Sequence, residues 1–457
     1  MTSNSKVTLV GAGLVGSLMA VLLARRGMKV TMLERRGDMR KQRMSAGRSI
    51  NLAMSKRGWT ALERAGIDHV IRKEAIPMKG RIMHSAAGEL TFQPYGLENQ
   101  AIYSVSRGGL NMTLLDLAEQ AGGVDLRFDA HCLDVDLDTA AGDFHDAITD
   151  KSFTVDSDVL LGSDGAFSAV RSRMMKTDRF DYSQTYLQHG YKELSIPPTA
   201  DGGFRLEANA LHIWPRGNFM MIALPNPDGS FTCTLFLPFE GAESFDSLRE
   251  DSDVLRFFET TFGDAVPLMP TLLEDFRANP TSSLVTVRSN PWQRNGRVGL
   301  LGDAAHAVVP FYGQGMNCGF EDCVVLDQKL DEFDNDWAAA LPAYSDARIN
   351  NGNAIADLAL RNFIEMRDLV ADERFLLRKK IERKIQTMYP DRFLPVYSIV
   401  SFSNIAYSEA MRESRKQDEL LADLMQRPDI AAVWDSAEFE NVIHDRMHGY
   451  TGVPVPR

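Results

Sequence analysis

The stretch that decides the fold is Val7-Thr8-Leu9-Val10-Gly11-Ala12-Gly13-Leu14-Val15-Gly16. Residues 7–10 predict a buried parallel strand, and the glycines follow at once. Residues 14–26 carry apolar side chains on nearly every face and close on Arg25-Arg26-Gly27, which predicts a buried helix. A second strand, Lys29 to Leu33, ends in Glu34. The result is a strand–helix–strand unit with G-x-G-x-x-G in its turn and an acid at the expected distance of about 20 residues. Each part has a task at a dinucleotide. Gly11 permits the tight turn, Gly13 lets backbone N–H groups approach a pyrophosphate, and Gly16 lets the helix pack closely on the strands. The helix N-terminus adds partial positive charge for the anion. Glu34 can accept hydrogen bonds from both ribose hydroxyls of an adenosine and would repel a 2′-phosphate. The site therefore suits FAD or NAD, not NADP.

Two later turns decide between them. Val159-Leu160-Leu161 predicts a strand ended by Gly162-Ser163-Asp164-Gly165, with a helix carrying Val170, Arg171 and Arg173 behind it. Residues 298–301 predict another, ended by Gly302-Asp303-Ala304-Ala305-His306 and followed by a helix from about Gly315 to about Leu330. A carboxylate at a strand end, Asp164 or Asp303, can hold the hydroxyls of a ribityl chain. The helix N-terminus near Gly315 can point N–H groups at a flavin ring. Only one G-x-G-x-x-G occurs, so the chain has no second nucleotide fold. Cys318 and Cys323 are five apart in one helix and face different ways, so they make no redox pair and read as core.

The three turns, GAGLVG at 11–16, GSDG at 162–165 and GDAAH at 302–306, resemble those of the single-component FAD-dependent aromatic hydroxylases of the p-hydroxybenzoate hydroxylase type. Within that group GRSINLA at 47–53, QPYG at 93–96, GYKEL at 190–194, ALHIWP at 210–215, PFYGQGMN at 310–317 and NFIEM at 362–366 resemble the kynurenine 3-monooxygenase family. The resemblance runs to about residue 410 and thins over the last 40 or so. It implies an α/β fold: a Rossmann-like FAD-binding domain, an antiparallel-sheet substrate domain and a helical C-terminal region. It also implies hydroxylation of L-kynurenine to 3-hydroxy-L-kynurenine with NADPH and O2 through a flavin C4a-hydroperoxide, NADPH docking transiently at the surface.

The family's carboxylate clamp falls on Arg81 and Tyr95, and further polar contacts fall on Asn362 and Tyr397. Glu365 would take the α-ammonium or hold Asn362 and Arg81 in place. The apolar walls match Leu211, Ile222, Phe236, Pro310, Phe311 and Met366. The cofactor set becomes Gly11, Gly13, Leu14, Val15, Gly16, Glu34, Arg35, Arg48, Leu52, Arg107, Asp164, Gly302, Asp303, Gly315, Met316 and Asn317, with Arg48 and Arg107 as flavin-side cations. Tyr312 departs from relatives at the pocket rim. His306 reads as a satisfied turn residue, because the cofactor carries the chemistry and little base is required. Two alternatives stay open: a related flavin hydroxylase of a phenolic or quinoid substrate, and a non-catalytic FAD-fold binding protein.

The organisation expected is a discontinuous FAD-binding domain over 1–74, 100–176 and 280–365, a substrate domain over 75–99 and 177–279, and a helical region over 366–457. Leu211–Trp214, Phe219–Leu224 and Phe231–Leu237 predict antiparallel strands, the last two joined by a hairpin loop at 226–230. The uncharged run 393–408 predicts a buried or pocket-lining helix, and the charges of 374–388 and 412–425 predict solvated helix faces. Of 457 residues, 44% are hydrophobic and 25% charged, the balance of a globular protein. Lys+Arg 50 against Asp+Glu 62 gives a net charge of −12, which argues against nucleic acid as a partner. The four cysteines lack the number and spacing of a disulfide scaffold or zinc ribbon. No apolar run of about 20 residues occurs, and 450–457 could not anchor the chain in a membrane. The expectation is a soluble, cytoplasmic, bacterial form.

Overall fold

A computed structural model describes residues 5–41, 51–96, 100–366 and 372–454. The opening motif begins a six-stranded sheet. Its order is Gln293–Arg294, Val298–Leu300, Val159–Gly162, Lys6–Val10, Lys29–Leu33 and Val124–Arg127. All neighbours are parallel except the short Gln293–Arg294 edge. Val7, Leu9, Leu160 and Leu161 are buried, as strands covered on both faces must be. The helix Leu14–Arg25 is buried from Gly16 to Ala24 and packs on helices Arg107–Gln120 and Gly315–Glu332. These contacts gather all three glycine-rich turns at the carboxyl ends of the strands, where open α/β sheets bind ligands.

The second sheet has seven strands, in the order Ser282–Asn290, Asp181–Ile196, Phe231–Pro238, Met220–Pro225, Ala210–Pro215, Gly80–His84 and Leu90–Pro94. Only the Ala210–Pro215 and Gly80–His84 pair is parallel. Alternation along each strand sorts the side chains between two cores. Leu194, Trp214, Cys233 and Leu235 pack under helices Asp251–Thr261 and Leu272–Ala278. Leu211, Ile213, Met220 and Phe236 face the other way, toward Phe311 and Phe363. Ser282–Asn290, grouped by sequence with the FAD-binding segment, is hydrogen-bonded to Asp181–Ile196 in this sheet.

The 28-residue helix Trp337–Ile364 leads to the C-terminal helices Glu373–Met388, Val396–Phe402, Tyr407–Leu424, Ile430–Val433 and Ala437–Met447. These have a core of their own around Ile381, Ile385, Phe393, Leu421, Phe439 and Ile443. The α/β body, the antiparallel sheet and the helical C-terminal region thus form as the sequence implied. The single helix expected over 393–408 does not form. It covers only Val396–Phe402 and stops where Ser403 turns extended. The Ser403 hydroxyl donates to the Ile399 carbonyl at 2.6 Å and accepts the Ile405 N–H at 3.2 Å. Those bonds replace the continuing helical ladder. Among the described residues, no helix is long and apolar enough to cross a membrane.

Candidate functional site

The first cleft lies at the glycine-rich turns. Gly13 caps helix Leu14–Arg25 without a side chain, and the first turn carries no acid. A Cβ built on Gly16 would collide with the Gly11 carbonyl oxygen, whereas one built on Gly13 meets nothing within 4 Å. Gly16 is thus required by packing within the chain, and Gly13 faces open space. Glu34 is buried at the end of its strand. Its Oε2 accepts the Ala12 N–H at 3.0 Å, and its Oε1 accepts from Arg36 N and Nε at 3.1 and 2.7 Å. Arg35 is exposed beside it, and Leu14 and Val15 are half-buried in the first turn of the helix.

Asp164 Oδ2 accepts the Ala169 N–H at 2.7 Å. Its Oδ1 is buried without a hydrogen-bond partner among the described residues. Desolvation pushes this carboxyl above its ordinary range, against hydrogen bonds from Ser168 and Ala169. Asp303 remains open to solvent although protein crowds it on most sides. That crowding pushes its pKa up, while His306 and Arg107 pull it down. Arg107 is exposed at the start of its helix. Gly302 abuts Val15, and Gly315 opens the helix Gly315–Glu332, whose N-cap Gln314 makes no side-chain capping bond. Leu52 and Met316 pack at the edge of the main core. The Asn317 side chain accepts from Ser55 N at 2.9 Å and donates to Ala53 O and Gly313 O at 2.8 and 2.7 Å. It ties two loops together, so what it can offer a ligand is backbone. Arg48 lies outside the described residues. An open glycine cradle, an orphaned carboxylate oxygen and two helix N-termini without side-chain caps suit a dinucleotide with a polyol chain.

Beneath the Gly302-Asp303 turn is a charged cluster that sequence reading missed. Asp322 is fully buried and accepts from Gly302 N at 2.9 Å, His306 Nε2 at 2.6 Å and Arg348 Nε at 2.7 Å. Arg348 and the buried Arg57 both pair with Glu321. Burial disfavours the His306 charge, but Asp322 outweighs it and holds His306 well above its ordinary pKa. His306 is thus satisfied by a carboxylate and carries a positive charge. His306, Cys318 and Asp322 could reach one metal ion, but the Arg348 guanidinium supplies the cation there, 3.2 Å from Cys318 Sγ. The available signal was Asp322 itself, a carboxylate between Phe320 and Cys323 on a helix otherwise apolar on that face.

The second site is a cavity of about 880 Å³ whose lining includes Arg81, Tyr95, Tyr312, Asn362, Met366 and Tyr397. The Arg81 guanidinium carbon lies 5.1 Å from the Tyr95 ring centre and 4.9 Å from that of Tyr397. Tyr95 and Tyr397 stack at 5.2 Å, and Tyr312 stacks on Tyr397 at 5.5 Å. Arg81 Nε and Tyr95 Oη are buried without hydrogen-bond partners, and no carboxylate pairs with Arg81, among the described residues. Burial drives the Tyr95 pKa well above its ordinary value, so this hydroxyl stays neutral.

Asn362 Nδ2 donates to the Phe311 carbonyl at 2.7 Å and approaches Met366 Sδ at 3.3 Å. Phe311 stacks on Phe363 at 4.0 Å and meets Phe236 at 4.9 Å. Leu211, Phe236 and the half-buried Ile222 belong to this same core. Pro310 begins the short turn before Phe311 and is exposed. Glu365 also lines the cavity, but it does not hold Asn362 or Arg81. It pairs with Arg361 at 3.0 Å, four residues back at the end of the helix Trp337–Ile364, and with Lys379 at 4.0 Å, which the helix Glu373–Met388 brings to that wall. Arg374, Lys380 and Arg383 are exposed, as a solvated face should be, and the same packing also places Arg378, Lys379 and the buried Glu382 on the cavity lining.

A family model described as "FAD binding domain" matches residues 4–359. The chain is 47% identical over 445 residues to a kynurenine 3-monooxygenase of Christiangramia forsetii, covering 97% of this chain and 99% of the relative. It is 49% identical over 419 residues to that of Myxococcus xanthus, covering 92% and 90%. Among solved structures, 2-methyl-3-hydroxypyridine-5-carboxylic acid oxygenase superposes with TM-score 0.66 at 18% identity, covering 80% of this chain and 94% of that one. The p-nitrophenol 4-monooxygenase from Pseudomonas putida DLL-E4 gives 0.63 at 17% identity, covering 93% and 98%. These two are likenesses of fold.

Proposed function

The chain belongs to the kynurenine 3-monooxygenase family of FAD-binding monooxygenases, and from that premise we propose that it hydroxylates L-kynurenine to 3-hydroxy-L-kynurenine with NADPH and O2. The observation that carries the reading is Arg81. A guanidinium free of any carboxylate among the described residues, between two tyrosine rings and lining a cavity, suits a substrate carboxylate.

When bound, FAD supplies hydride acceptance from NADPH and the activation of O2 for transfer of one oxygen atom to the ring. The rest is done by side chains. Gly13 and the following N–H groups would take the pyrophosphate, Glu34 the adenosine ribose, and Asp164 and Asp303 the ribityl hydroxyls. The uncapped N-terminus at Gly315 would face the ring with partial positive charge. Arg81 and Tyr95 would fix the amino-acid tail, with Asn362 and Tyr397 beside them. Leu211, Ile222, Phe236, Phe311 and Met366 would orient the aryl ring and exclude water from the reacting carbon.

The test is direct. Purified protein loaded with FAD is mixed with NADPH and L-kynurenine, NADPH oxidation is followed, and the product is weighed by mass spectrometry. The expected product is heavier by one oxygen atom. NADPH oxidation without a hydroxylated product would show that L-kynurenine is an effector and not the substrate.

A further inference from the structure

We propose that Thr234 and Glu193 form the second polar end of the substrate slot and take the amine on the aryl ring. The proposal rests on the reading that the substrate is an ortho-aminoaryl ketone bearing an amino-acid tail.

The sheet register lays out the slot. Glu193 is paired with Thr234, Thr234 with Ile222, Ile222 with Ile213, and Ile213 with Met83. The adjoining pair on the last two strands is Leu211 and Arg81. Cys233 and Leu235 point into the opposite core, so Thr234 shares the face of Phe236, Ile222 and Leu211. Crossing that face from Arg81, the side chains run from cation, through aliphatic and aromatic, to hydroxyl and carboxylate. Three strand steps of about 4.8 Å, with an offset of two residues of about 3.3 Å each along the strand, separate the Arg81 and Thr234 backbones by about 16 Å. With Arg81 reaching inward, that gap suits an amino acid carrying one aryl ring.

Thr234 is 2% exposed, and its Oγ1 has no hydrogen-bond partner among the described residues. Thr8, Ser55 and Ser401 share this lack of a partner, but Thr234 alone of these four hydroxyls lies on the sheet face that carries Arg81, Leu211 and Phe236, where a ligand donor would satisfy it. Glu193 is its cross-strand neighbour and is half-buried. Desolvation holds the Glu193 carboxyl above its ordinary range against the pull of Arg107, as befits a carboxylate awaiting a donor. An aryl amine offers two N–H donors, one for each oxygen-bearing side chain. A hydrogen bond from that amine to a carboxylate also raises electron density at the ring carbon ortho to it, the carbon to be oxygenated.

The experiment measures equilibrium binding to the FAD-loaded protein of two ligands: L-kynurenine, and the same amino acid lacking the ring amine. Thr234→Val and Glu193→Gln should each weaken L-kynurenine about tenfold and the des-amino analogue less than twofold. Thr234→Ser, which keeps the hydroxyl, should retain the wild-type preference and remains informative if the valine variant fails to fold. Equal loss for both ligands, no loss for either, or loss of FAD in place of the ligand-specific effect would overturn the assignment. Failure of the wild-type protein to hydroxylate L-kynurenine would instead overturn the underlying reading.

Discussion

Asp322 Oδ2 lies 2.6 Å from His306 Nε2, and the same oxygen accepts the Gly302 N–H. One carboxylate on the helix Gly315–Glu332 therefore sets the height of the turn that presents Asp303. Asp322→Asn removes the counter-ion of the buried His306 and one of the two carboxylates paired with Arg348, which keeps Glu321. Removing one partner of such a cluster costs about 3–5 kcal/mol. The expected outcome is a melting temperature lower by roughly 3–5 °C in the apoprotein, and reduced FAD retention in whatever folds. An unchanged melting curve would remove Asp322 from this role.

The His306 charge gives the cluster a pH signature. Its folded pKa is raised above the unfolded value of 6.5, so its contribution is complete below pH 6.5. It is lost as pH rises through the folded value, at up to about 1.4 kcal/mol per pH unit for one proton. Asp322 acts in the opposite limb: its folded pKa is lowered, so its contribution is present above 3.8 and lost as pH falls through the folded value. Urea midpoints measured from pH 6 to 9 should show wild type and His306→Gln converging as pH rises. Parallel curves would mean that His306 is neutral in the fold.

Gly13 and Gly16 look equivalent in the sequence motif and are not equivalent in the fold. Gly13 has φ −75°, which alanine adopts freely, and its Cβ would enter open space. Gly16→Ala drives a methyl into the Gly11 carbonyl. Gly13→Ala should leave the apoprotein melting temperature within a degree or two of wild type, yet weaken FAD by about tenfold or more, because only the pyrophosphate competes for that space. Gly16→Ala should destabilise the apoprotein itself. Fluorescence titration with FAD, alongside calorimetry of the apoproteins, separates the two cases.

Local chemistry made the cofactor half of the site legible. Gly11, Gly13, Gly16, Glu34, Asp164 and Asp303 sit within a few residues of a strand end, and strand–turn–helix patterns are written in contiguous sequence. The substrate half is assembled from strands far apart in the chain. Arg81 comes to Leu211 only through a parallel pairing across about 130 residues, which no periodicity announces. Family resemblance, not spacing, pointed to it. The Asp322–His306–Arg348 cluster was missed because Asp322 and Arg348 look like ordinary polar residues on helices and His306 like a turn residue, and burial in a shared core shows only in three dimensions. Glu365 lines the cavity, and its ion-pair partners, Arg361 and Lys379, lie on two different helices, the second a pairing that no spacing in the sequence announces.

Arg81→Met tests the clamp. A bidentate charged contact to a carboxylate is worth about 2–5 kcal/mol when truncated, so L-kynurenine affinity should fall by a factor on the order of 100 or more. Binding of FAD should be unaffected, because Arg81 lies on the second sheet and away from the glycine turns. Substrate-stimulated NADPH oxidation should fall in step with binding. Full stimulation at wild-type concentrations of L-kynurenine would reject the clamp.

Asp418 bridges two cations that wall the outer cavity. It accepts from Arg361 at 2.7 Å on one helix and also pairs with Arg378 on the next. Each of the three side chains is a quarter to two-fifths exposed, so solvent screens the cluster and its net contribution to stability is about 1 kcal/mol or less. The larger effect of Asp418→Asn is local: two guanidinium groups are left facing each other without their shared anion, and the helix Glu373–Met388 is pushed off the cavity. Water would then reach the reacting centre before oxygen transfer. The expected outcome is a near-wild-type melting temperature, a KM for L-kynurenine raised a few-fold, and fewer molecules of hydroxylated product per NADPH consumed. Product-to-NADPH ratios for wild type and Asp418→Asn decide it. An unchanged ratio with a lowered melting temperature would mean that Asp418 serves only to pack the helices.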